Sequence, residues 1–144
     1  MWQKQQETDL KSIATAIDVD LARINESKNF APYYGFYKYD NFPDPNVKMI
    51  VSPVPFYDST KDLYMTFNHD ISRFNYTISS NVYEFYNNLF NAEKDREFII
   101  QNKNTTDPYT QAVVGGYYKE MKYLIVECGN KLPTIRGQLK EYLR

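Results

Sequence analysis

Two long apolar stripes at helical spacing limit what this chain can become. Leu63, Phe67, Ile71, Phe74, Ile78, Val82, Phe85 and Leu89 step by 4, 4, 3, 4, 4, 3 and 4 residues, a heptad-like repeat that gathers its members on one helix face. Val113, Tyr117, Met121, Leu124, Cys128, Leu132, Ile135, Leu139 and Tyr142 step by 4, 4, 3, 4, 4, 3, 4 and 3. The turn "NKNTTDP" at 102–108 joins the two stretches, so the helices must fold back on each other antiparallel. A third stripe, Leu10, Ile13, Ile17, Leu21 and Ile24, predicts a helix over 3–27 that Asn29 and Pro32 bring to an end. The expected fold is all-α: an elongated antiparallel three- or four-helix bundle, one domain over 1–144, with helices at about 3–27, 58–102 and 107–143.

Local signals refine the boundaries. Ser59 followed by Asp62 resembles a capping box and starts the middle helix. Taken as continuous to Asn102, that helix is roughly 65 Å long, with a break possible within "MTFNHD", where Asn68 offers a second cap. Thr106 or Asp107 caps the last helix, with Pro108 in its first turn. Gly129 and Pro133 are ordinary stop signals, and Pro133 clashes with the carbonyl of the residue four earlier. That residue is Gly129, whose backbone yields most easily, and the apolar phase runs through both. One kinked helix is therefore expected over 108–143 rather than two helices.

Between the first and second helices lies a connection, 28–57, that carries five prolines and the stretch "NFAPYYGFYKYDNF". Seven aromatic rings occur in those fourteen residues. A connection of this length without regular structure needs large side chains to anchor it; "VKMIVS" at 47–52 reads as a short strand-like piece. The rings admit three uses: stacking on a ligand, insertion at a membrane interface, or packing over the open side of the bundle. Packing predicts most rings buried with tyrosine hydroxyls on polar partners. A ligand or partner surface predicts a contiguous exposed patch, with Tyr33, Tyr34, Phe36, Tyr37 and Tyr39 as its residues and Tyr117 and Tyr118 facing them.

Chemistry is hard to find. The 17 basic and 18 acidic residues are mixed along the chain for a formal charge of −1, so no basic stripe exists to follow a nucleic-acid backbone. His69 is the only histidine and has neither a nucleophile motif nor a glycine-rich oxyanion turn near it. No histidine pair or Glu-x-x-His motif suggests a metal. Asp58 and Asp62 fit the N-terminal end of a helix dipole. Cys128, the only cysteine, reads as a buried inert thiol. Gly115–Gly116 lacks the Lys-Ser/Thr of a phosphate loop and is read instead as room for a close helix or tyrosine contact. Asn25, Asn75 and Asn104 begin N-x-S/T sequons, which matter only in a glycosylating compartment. No catalytic residue, cofactor or metal is expected.

No run reaches the ~18–20 apolar residues of a membrane span, and "MWQKQQETDLKS" is not a signal peptide. A chain cut just after a membrane helix would look the same, with Trp2 as an interfacial residue. The pieces "LKSIATAIDVDLARIN" at 10–25, "PFYDSTKDL" at 55–63, "VYEFYNNLFNAEKDREFI" at 82–99 and "LIVECGNKLPTIRGQL" at 124–139 resemble the soluble helices of small, uncharacterised single-pass membrane proteins with an N-terminal anchor. The resemblance implies a membrane-tethered helical domain, attached through a segment this sequence lacks, and no catalytic residue. The leading expectation is a non-enzymatic domain acting through protein contacts or self-association, with no nucleic-acid partner. A ligand-sensing receptor domain and a structural or coat subunit are the alternatives.

Overall fold

The computed structural model describes residues 2–57 and 60–144, with side chains from residue 9 onward. Among the described residues five helices appear: α1 (Trp2–Glu26), α2 (Ala31–Tyr37), α3 (Thr60–Ile71), α4 (Tyr76–Asn102) and α5 (Pro108–Leu143). No strand occurs among the described residues, and the all-α bundle read from the stripes is the fold.

The α4–α5 pair is its spine. Phe98 stacks on Tyr117, Cys128 Sγ meets the Phe85 carbonyl, Asn81 bonds Gln138 and Phe74 packs edge-on to Tyr142. As numbers fall along α4 they rise along α5, which is antiparallel packing. The stripe residues from Ile71 to Leu89 are all buried, as are Met121, Leu124, Cys128, Leu132, Ile135 and Leu139. Ile13, Ile17, Leu21 and Ile24 bring α1 into the same contiguous core. Asp18 pairs with Arg136 of α5 at 3.1 Å, and Asp20 and Arg23 reach Thr60 of α3.

Two expectations are corrected. The helix expected over 58–102 is two helices, broken at residues 72–75 rather than within "MTFNHD". Asn75 caps α4, its side chain accepting from the Ile78 amide at 3.0 Å. The 3–4 stepping passes through the break because Phe74, in the turn, still points inward and is 5% exposed. The connection 28–57 is not wholly irregular either. Pro32 stops α1 from continuing yet opens α2 in its first turn, where its missing N–H is no loss, and 47–52 forms no strand.

At the last helix the reading of one helix rather than two holds. Asp107 is the cap, accepting from Thr110 N, and α5 runs unbroken through Gly129 and Pro133. The Ser59 cap and Asp58 lie outside the described residues.

Candidate functional site

Built up from its residues, the aromatic connection 28–57, a strap over the bundle, is first a packing element. A Cβ on Gly129 would overlap the Tyr34 ring, so glycine there lets α2 lie directly on the α5 backbone. Tyr34 stacks on Phe30 and its hydroxyl donates to Asn130 Oδ1 at 2.7 Å. Tyr37 is buried, meets Tyr33 and Tyr118 ring to ring, and donates to the Ile50 carbonyl at 2.6 Å. Tyr118, fully buried, donates to Asp40 Oδ2 at 2.5 Å and accepts from the Ile50 amide at 3.1 Å. Lys122 closes the cluster, 3.4 Å from Asp40 and over the Tyr118 ring. Burial raises both phenols above their ordinary range, Tyr118 further through its bond to Asp40, so both hydroxyls remain donors at neutral pH.

Of the seven rings in 29–42, Phe30 and Tyr37 are buried, Tyr33, Tyr34 and Phe42 half-buried, and Phe36 and Tyr39 exposed at 41% and 80%. Tyr33, Tyr37 and Tyr118 meet ring to ring, while Tyr34 lies apart from them against Phe30 and Gly129. Tyr117 does not join them: neighbours in sequence point to different faces of a helix, and Tyr117 stacks on Phe98 at 4.2 Å. Gly115–Gly116 is not the close-contact point either, since Gly116 faces open space and Gly115 meets Phe42 only at ordinary distance. The tight glycine is Gly129.

Sequence reasoning missed the buried polar groups. Glu93 and Arg96, 3% and 6% exposed, pair at 2.7 Å. Glu93 accepts from the Phe56 amide while Arg96 donates to the Ser52 carbonyl, and together they pin the loop before α3. Asp20 Oδ2 accepts from the buried Tyr86 hydroxyl at 2.8 Å. Positions 93 and 96 continue the apolar stepping beyond Leu89, so charges in phase with a stripe were the available signal. Cys128 is fully buried and its thiol is pushed up mainly by that burial, which leaves it unreactive. His69 lies exposed in the last turn of α3. Among the described residues no cluster of His, Cys, Asp or Glu fits a metal, and no helix is long and apolar enough to cross a membrane.

Among the described residues, depressions of about 400 and 320 Å³ lie at residues 23–29 and beside Pro133, and two others border the α4–α5 ends and the strap. One, about 600 Å³, lies between the start of α4 and the end of α5 and is lined by Asn75, Ile78, Thr134, Gln138 and Tyr142. The other, about 280 Å³, lies between α2 and α5 against Tyr37, Lys38, Lys119, Lys122, Tyr123 and Val126. No protein-family model, curated protein or solved structure matches the chain.

Proposed function

We propose that this chain is a non-enzymatic helical domain that works through protein contacts and is held at a membrane by a segment outside these residues. What supports the first half is how the strap spends its rings. Tyr37 and Tyr118 meet edge to ring and bond the Ile50 backbone and Asp40, and Tyr34 lies against Phe30 and Gly129 with its hydroxyl on Asn130. A small-molecule site needs such groups free and convergent. The large apolar side chains that do stand in solvent, Phe36, Tyr39 and Tyr123 among them, are of the aromatic kind that anchors protein interfaces. The tether rests on the resemblance of the packing motifs. Sequence upstream of Met1 tests it, where an apolar run of ~20 residues is expected.

A photoreactive phenylalanine analogue in place of Tyr39, and separately of Tyr123, tests the contact function in cells that express the chain. The expected result is one discrete protein adduct that depends on illumination. The sensor reading draws on the depression near Asn75 and Tyr142, whose volume falls within the ~300–1,000 Å³ of ligand sites. A thermal-shift panel of sugars, amino acids and organic acids decides between the two, since a ligand of the folded state raises Tm. A clear rise with one compound, and no adduct at either position, overturns the contact reading.

A further inference from the structure

We propose that the face between the end of α2 and the middle of α5 docks an acidic segment of a partner protein, seating one apolar side chain of that segment between Tyr37, Tyr123 and Val126. The proposal rests on the protein-contact reading above and names the chemistry of the partner. Lys119, Lys122, Tyr123 and Val126 share one face of α5 by their 3–4 spacing. The end of α2 brings Tyr37 and Lys38 against them around the depression of about 280 Å³. A depression of that size has room for a single side chain.

Charge sets the kind of partner. Of the three lysines lining the depression, Lys122 is satisfied by Asp40, whose side chain is wholly buried. Lys38 and Lys119 are exposed, and neither pairs with a carboxylate among the described residues. Three cations against one carboxylate leave a local excess of two positive charges on a chain whose formal charge is −1. The Lys38 ammonium sits 4.7 Å over the Tyr34 ring, which holds it near the depression. Tyr123, 63% exposed, offers a rigid ring for a partner to cover, while rim lysines steer an acidic chain toward it. Two lysines beside a small apolar depression fit a short acidic peptide better than a nucleic acid, whose backbone needs a line of cations.

The test is binding of labelled short peptides to the full chain by fluorescence anisotropy, with amide chemical shifts locating the site. The probes are Asp/Glu-rich peptides with a central Phe or Leu, the same peptides with a central Ser, Lys/Arg-rich counterparts, and an oligothymidine. The acidic apolar-centred peptides are expected to bind most tightly and to shift amides at 37–38 and 119–126. Raising salt should weaken them as the screening length falls toward ~8 Å. Lys119→Glu should weaken binding roughly fivefold or more, about 1 kcal/mol, with helicity by circular dichroism unchanged. Absence of saturable binding by the acidic peptides, equal affinity for the basic ones, tighter binding of oligothymidine, or shifts confined to the Asn75–Tyr142 depression would each overturn the proposal. If the peptides fail while photo-adducts still form at Tyr39 or Tyr123, the contact function stands and the acidic docking site falls.

Discussion

Glycine shows at single-residue scale how context decides what a residue is for. All five glycines have φ < 0, so none is needed for its backbone freedom. Gly129 is instead needed for its missing side chain, because the Tyr34 ring occupies that space. Gly137, in the same helix, meets nothing within 4 Å. Gly137→Ala should therefore stabilise by up to about 1 kcal/mol, the helix-propensity difference. Gly129→Ala should destabilise by about 1–2 kcal/mol net, as the forced shift of Tyr34 exceeds the same gain. Urea unfolding of both variants, and of Gly129→Ala in a Tyr34→Ala background, checks this. In the double variant the alanine at 129 should become stabilising, and a loss that persists would mean that Tyr34 is not the cause. Sequence could mark Gly129 only as a soft spot for Pro133, because the ring that explains it lies 95 residues away in the chain.

Among the elements, the strap was the least legible and α5 the most. A stripe of nine residues in phase with a helix outweighs one proline, so α5 was readable through Pro133. The strap has no period to read. What orders residues 40–50 is a set of bonds to α5: Tyr118 to Asp40 and Ile50, and Lys122 to Asp40. Tyr118→Phe keeps the ring and removes the hydroxyl, which leaves the buried Asp40 carboxylate and the Ile50 amide each short of a partner. The expected loss is about 1–3 kcal/mol, with faster amide exchange at 40–51 and little change within α4. Uniform exchange across the chain would show that the strap is not held locally. The α3–α4 break was hidden for the opposite reason. Its turn keeps the helical stepping, and Asn75 looks like any exposed asparagine until its side chain is seen on the Ile78 amide.

At the scale of the whole molecule, every helix contributes to one core, yet α4 buries a carboxylate within it. Asp95 is 5% exposed and its Oδ2 has no hydrogen-bond partner. Desolvation first, and the Glu120 charge second, raise its pKa from 3.8 to about 7. A carboxyl with a raised folded-state pKa keeps a proton that the unfolded chain releases. Its contribution therefore makes stability fall as pH rises from about 4 to about 7 and then level off. Asp95→Asn should stabilise the protein at pH 8 by about 1–2 kcal/mol, with the difference shrinking towards pH 4. Denaturant unfolding of both proteins across that range measures it, and a constant difference would rule out Asp95 as the group responsible.

Helix content, the antiparallel return of α5 on α4 and the inward faces of three helices were determined by sequence alone. They follow from short-range periodicity and turn chemistry, and residues three or four apart report them directly. Tertiary structure alone decided which rings are packing and which are surface, where Glu93, Arg96 and Asp20 find partners, and that Tyr118 but not Tyr117 packs against the strap. Each depends on groups far apart in the chain meeting at hydrogen-bond or van der Waals distance. A tyrosine reads the same in sequence whether its ring lies against Gly129 or stands in water beside Lys119.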